Sequence, residues 1–249
     1  MRFELMRPHQ IRDAISRNLP AVLPIGVMEY HGEHLGVGMD LLAVTCVLDR
    51  LEAEAPADIV ILPPFAYGAA SYAVAPPEGT GSLHVDAGRI APMAEDLFLG
   101  LLRIGFRNIH GVIHHQTENF AAGMPTDLAF RFAGRQAVFR HLERERGEGW
   151  WGRADTQDYY AQHPTGADPF NWVRVHPLMT PEIMARYPFD HAGLGETSLM
   201  LALAPETVEM DRLDDTTAWY TASATQASAA LGERGVAAIL AHLRQAFGG

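Results

Sequence analysis

The sequence predicts an α/β fold, a three-layer α/β/α sandwich with a mainly parallel central sheet, on three observations. Short apolar runs suited to buried strands alternate with longer stretches of helical periodicity. The 249 residues are 48% apolar, enough to bury a substantial core, so residues 1–249 are expected to form a single domain. Two of the apolar runs end in loops dense with potential ligands, and open parallel sheets bind their ligands outside the carboxyl ends of strands.

Residues 21–27 (AVLPIGV) read as the first strand. Residues 40–55 (DLLAVTCVLDRLEAEA) follow with apolar residues at helical spacing, Asp40 being placed to cap or precede the first turn. A second strand at 58–62 (DIVIL) is stopped by Pro63 and Pro64. A loop rich in glycine, proline and alanine runs through Gly81, and a helix is expected over 86–104. The third strand is 109–113, and the chain after Asn119 enters a long helix ending in the charged HLERERGEG. From 150 to 181 no period is sustained. That stretch holds three of the four tryptophans and a tyrosine pair, and a long excursion of this kind is expected to be a lid, a pocket wall or a subunit contact. The segment DHAGLGETS (190–198) leads into a helical run, and 221–247 is alanine-rich and helical in pattern.

Charge and cysteine content exclude several functions. A formal net charge of -11 repels nucleic acid and anionic membrane, leaving small molecules as the expected partners. The single cysteine, Cys46, excludes an intrachain disulfide and a multi-cysteine zinc site, and reads as a small buried residue of its helix. MRFELMRPHQ has no apolar signal core and no run reaches the length of a membrane span, so a cytoplasmic location is expected.

The chemistry concentrates in three segments. LPIGVMEYHGEHLGVGMD (23–40) offers Glu29, His31, His34 and Asp40 directly after a strand. Residues two apart on an extended chain project to the same side, and Gly32, Gly36 and Gly38 let the backbone fold back so that Asp40 joins them. Carboxylate plus imidazole suits zinc, manganese or iron. NIHGVIHHQTEN (108–119) repeats the pattern with His114, His115, Gln116 and Glu118. In the third segment His191 is a candidate proton carrier, and Glu196 lies near a helix N-terminus that favours its charge.

Together these segments resemble the creatininase family of metal-dependent amidohydrolases. Its pattern ExHGxHLPxGxD is met by residues 29–40 with Gly36 in place of the proline, and HAGxxETS is met in full by 191–198. Tyr67-Gly68 and Gly79-Thr80 match the family's YG and PGT in order. The resemblance implies one or two divalent ions per chain, with Asp40 bridging, Glu29 on one ion and His31 on the other. It also implies a homohexamer. The family's NGHxEN, aligned on Glu118-Asn119, makes Glu118 a ligand and puts Gln116 where a ligand histidine belongs. Gln116 could coordinate through its amide oxygen, or His114 or His115 could compensate from a shifted backbone.

The implied reaction is hydrolytic ring opening. A divalent ion lowers the pKa of a bound water and polarises a carbonyl, and His191, oriented by Glu196, protonates the leaving group. IHHQTEN, the SYAVAPPEGTGSLHVD loop and EGWWG resemble a subgroup assigned to inositol catabolism, the 3-dehydro-scyllo-inosose hydrolases, which cleave a C–C bond in a cyclic diketone. Tyr72, Glu78, His115, Trp151 and Trp172 are the expected substrate contacts, with His84, Tyr159, His163 and Asn171 as further polar candidates. A creatinine or other cyclic-amide hydrolase is the alternative. Two other classes stay open, a non-catalytic ligand-binding protein on the same fold and a structural protein whose histidines only satisfy backbone groups.

Overall fold

The computed structural model describes residues 1–163 and 168–248. In chain order the helices and strands are α1 (Pro8–Ser16), β1 (Ala21–Ile25), α2 (Met39–Glu54), β2 (Val60–Ile61), α3 (Ala87–Ile104), β3 (Ile109–Ile113) and α4 (Pro125–Arg146). A short α5 (Tyr159–Gln162), β4 (Val173–Pro177), a short α6 (Pro181–Met184), α7 (Leu194–Leu203) and α8 (Ala229–Phe247) follow. The strands form one parallel sheet in the order β2-β1-β3-β4, with Ile25 level with Ile113 and Ile113 level with Pro177.

Side-chain alternation along the two central strands creates two cores. Leu23, Ile25, Ile109 and Ile113 pack on one face with Ile90, Phe98 and Leu102 of α3 and Phe130, Ala137 and Val138 of α4. Val22 and Val112 pack on the other with Val44, Val47 and Leu48 of α2, Leu199 of α7 and Ile239 and Leu243 of α8. The apolar stripes at helical spacing drive this burial, each fully buried large side chain contributing about 1.5–3 kcal/mol. The result is the expected three-layer sandwich, with α3 and α4 on one side and α2, α7 and α8 on the other.

Several local expectations are corrected. β1 ends at Ile25, and Asp40 is the second residue of α2, behind an N-cap at Gly38, so it does not cap the helix. Cys46 is only half-buried. The 150–181 stretch contains β4, missed because an edge strand with mostly half-exposed residues carries no clean alternation; its residues 164–167 lie outside the described residues. Residues 219–226 form a 3₁₀ helix, and α8 starts after the Ser228 hydroxyl, which accepts from Leu231 N at 3.3 Å. Among the described residues no helix is long and apolar enough to cross a membrane.

Candidate metal centre

The loops after β1 and β3 and the N-terminus of α7 meet at the carboxyl edge of the sheet. Gly26 makes the first approach possible, because a Cβ there would lie 2.5 Å from Leu41 Cα. The start of α2 therefore packs against the end of β1, which brings Asp40 beside Glu29. Gly195 does the same for α7, since its Cβ would sit 2.1 Å from Pro188 O. The Asp190 carboxylate then accepts from Gly195 N at 2.8 Å and Glu196 N at 3.1 Å, satisfying two of the orphan donors of that helix end.

Three groups of donors converge, the ligand atoms of each lying within 4.8 Å of one another. They are Glu29, Asp40 and His115; His31, Asp40 and Glu196; and Glu29, His31 and His191. Asp40 is common to the first two. All of these side chains are buried except His191, which is a quarter exposed. His31 Nδ1 donates to Glu29 O at 2.9 Å, so its Nε2 lone pair faces Glu196 at 3.5 Å and Asp40 at 3.8 Å. His115 Nδ1 lies 3.4 Å from both Glu29 Oε2 and Asp40 Oδ2, contacts too long to satisfy the carboxylates. Among the described residues His31 Nε2, Asp40 Oδ2 and His115 Nε2 are buried without a hydrogen-bond partner.

The electrostatics describe a site short of positive charge. Burial alone would raise the Asp40 carboxyl, but His31 and His115 outweigh it and hold it at about 2. Burial would lower His115, yet contacts with Asp40 and Glu29 push it up to about 10. His31 is raised against its own burial by Asp40, Glu196 and Glu29. Burial opposes ionisation of Glu196 too, and His31 and His114 reverse that, so its pKa falls. Three buried carboxylates with inward-facing imidazole lone pairs and orphaned donor atoms fit one or two divalent cations.

The cavity above these donors has a volume of about 370 Å³ and is lined also by Ser71, Ala73, Val74, Gln116, Glu118, Phe189 and Asp190. His191 Nε2 donates to Tyr30 O at 2.9 Å, and its ring lies tilted against His31 at 4.3 Å and edge-on to Tyr220. Glu196 does not orient His191. It accepts from His114 Nε2 at 3.0 Å and Ala192 N at 2.7 Å.

The other expected site residues lie at the edge of this cavity or outside it. Gln116 and Glu118 line the cavity; Glu118 joins none of the His, Asp and Glu donor groups, is exposed, and its Oε1 accepts from Asn119 Nδ2. His34 hydrogen-bonds Thr197 Oγ1 at 2.9 Å and braces the first loop against α7. Tyr72 and Glu78 are exposed and do not line the cavity. Trp151 belongs to a separate aromatic pocket with Tyr159, Tyr160 and His163, and Trp172 lies under Arg107, 4.6 Å from its guanidinium carbon. The residues that sequence reasoning missed are Ser71, Val74 and Phe189, which line the cavity, and Asp190 and Ala192, which fix the helix end. Of these only Asp190 had a signal, an acid just ahead of a helix N-terminus.

Known proteins are similar to this chain over most of its length. A curated relative, creatinine amidohydrolase of Pseudomonas putida, is 26% identical over 196 residues, covering 78% of this chain and 68% of its own. A mutant creatininase complexed with creatine superposes with a TM-score of 0.72 at 21% identity, covering 99% of this chain and 96% of that one. A manganese creatininase gives 0.70 at 20% identity, and a zinc–zinc mutant form 0.68 at 22%, each covering 99% of this chain and 98% of its own. The family model described as creatinine amidohydrolase matches residues 4–247, spanning both helical layers and every converging donor, and the chain therefore belongs to the creatininase family.

Proposed function

We propose that the protein is a metal-dependent hydrolase that opens a small cyclic carbonyl substrate, with Asp40 shared between two divalent-ion positions. The observation that carries this reading is the sharing itself, one buried carboxylate common to the Glu29, Asp40, His115 and the His31, Asp40, Glu196 groups. Members of the family are metal-dependent hydrolases, and the similar structures include zinc and manganese forms. Bound here, a divalent ion supplies a more acidic water and a polarised carbonyl oxygen. The protein's own groups do the rest. Phe189, Ala73 and Val74 give the cavity an apolar wall, while Ser71, Gln116 and Glu118 offer hydrogen-bonding partners at its rim. His191, whose Nε2 donates to the Tyr30 carbonyl, has its Nδ1 lone pair 3.9 Å from Glu29, placed to take up a proton released by the attacking water and pass it to the leaving atom.

Within this class our reading is C–C cleavage in a hydroxylated cyclic diketone, 3-dehydro-scyllo-inosose, as in inositol catabolism. Water adds to one ketone and the bond to the adjoining carbon breaks. Its electron pair passes into the neighbouring carbonyl as an enolate, and protonation by His191 gives an open-chain keto acid. The lining supports a neutral polyol, because Ser71, Gln116 and Glu118 can pair with hydroxyls and, among the described residues, no arginine lines the cavity to bind an anion. A cyclic amide is the second reading, favoured by the creatinine amidohydrolase relative.

The experiment is metal analysis by plasma mass spectrometry of wild type and Asp40→Ala, followed by turnover of the diketone and of creatinine. About two ions per chain, lost in the variant, and ring opening of the diketone are expected. Creatinine turnover with none of the diketone replaces the first substrate by the second. Bound ions with neither activity leave a ligand-binding protein, and no ion after incubation with zinc, manganese and iron ends the hydrolase reading. The homohexamer belongs to the same proposal; a light-scattering mass of about six chains supports it and a monomer removes it.

A further inference from the structure

We infer that His114 is a positioning residue for the second ion of this centre, fixing the Glu196 carboxylate so that one oxygen faces His31 and Asp40. The inference rests on the metal-centre reading above. His114 is fully buried, and its Nε2 lies 3.0 Å from Glu196 Oε1. Its other nitrogen, Nδ1, is buried without a hydrogen-bond partner among the described residues, and the ring meets Phe189 edge-on at 5.9 Å. That pairing selects the tautomer. A proton on Nδ1 would be an unsatisfied buried donor, and the Nε2 lone pair would then oppose the lone pairs of Oε1, so the proton belongs on Nε2 and is donated to Glu196.

The second oxygen of Glu196 is tied independently. Oε2 accepts from Ala192 N at 2.7 Å, and Ala192 holds the left-handed backbone conformation (φ 54°) that few non-glycine residues adopt. Held at both oxygens, the carboxylate cannot rotate, and Oε2 keeps a lone pair 3.5 Å from His31 Nε2. His114 joins none of the converging donor groups, so it acts through Glu196 and not as a ligand. The end of β3 thereby serves both ion positions. His115 supplies the Glu29 and Asp40 group, and His114, the adjacent residue on an extended chain, backs the His31 and Asp40 group from the other side.

The test is stepwise zinc titration of the full chain against a chromophoric chelator, on wild type, His114→Leu, His114→Asn and His114→Gln, with circular dichroism and melting confirming the fold of each. Leucine fills the space without a donor, asparagine places its amide short of Glu196, and glutamine carries a donor to the position of Nε2. In the leucine and asparagine variants one of two zinc ions is expected to bind about 10–100-fold more weakly while the other keeps its affinity, and glutamine should restore most of the loss. A merely structural role would lower the melting temperature and both affinities together. Two ions bound as tightly in the folded leucine or asparagine variant as in wild type overturn the inference and leave the proposed function standing. Wild type that binds no zinc removes both.

Discussion

Gln116 has a left-handed backbone (φ 52°, ψ 31°) that turns the chain immediately after His115. The turn keeps His115 with Glu29 and Asp40 and sends Gln116 and Glu118 to the rim. His115 stands beside both carboxylates, one residue ahead of the position that a motif aligned on Glu118-Asn119 gives to the ligand. Ser71 (φ 64°) and Ala192 (φ 54°) are strained in the same way, so three of the four left-handed non-glycine residues lie at this site among the described residues. His191 is the residue whose loss separates chemistry from binding. His191→Ala should lower kcat by about 10²–10⁴-fold, while the two groups that share Asp40, neither of which includes His191, keep their ions. A variant within tenfold of wild type would remove His191 from the proton path.

At the scale of elements, α7 carries Glu196 and is set by its neighbours. A Cβ on Gly232 of α8 would lie 1.9 Å from Ser198 O, backbone against helix backbone, so the two helices pack closer than any side chain permits. Gly232→Ala should separate them and destabilise the fold by about 1–3 kcal/mol, as overpacking does, read from denaturant midpoints. Because Glu196 moves with the helix, zinc affinity should fall in the same variant. A change of stability under about 0.5 kcal/mol would mean that the contact relaxes without cost. The 150–181 excursion belongs to this scale too: Trp150, Trp151, Tyr159, Tyr160 and Phe170 line a pocket with Phe139 of α4, none of them lining the metal-centre cavity, while its β4 completes the sheet.

The whole molecule has a second histidine assembly, outside the converging donor groups. His110 of β3 pairs with His176 of β4 at 2.9 Å and with Asn108 Oδ1 at 2.8 Å, while His242 of α8 and Phe247 pack against His176 and Arg174 lies nearby. Burial, reinforced by His176 and Arg174, lowers His110 to about 2, and burial with Arg174 and His242 lowers His176 to about 4. Both rings are neutral when folded and take up protons near pH 6.5 when unfolded. The unfolded state thus binds more protons between the two values, so stability falls as the pH drops from 6.5 toward 4. Each ring should cost on the order of 2 kcal/mol by pH 5, and His176→Gln should flatten that slope. Denaturation curves at pH 7 and pH 5 that shift equally in wild type and variant would rule this assembly out as the source.

The layers and the ingredients of the site are written in the amino-acid order. Apolar periodicity reports which face of each element is buried, so three strands, the main helices and the sandwich were legible before any coordinates. The placement of Glu29, His31 and Asp40 after a strand was legible as well, because those residues are close along the chain. Which donors converge is fixed by packing between remote segments. Glu196 reaches His31 across 165 residues through the close approach at Gly195, and His114 reaches Glu196 across 82, distances over which no local pattern carries a signal. The edge strand β4, the separate aromatic pocket and the register at Gln116 were decided in the tertiary structure too, each by packing between segments remote in sequence.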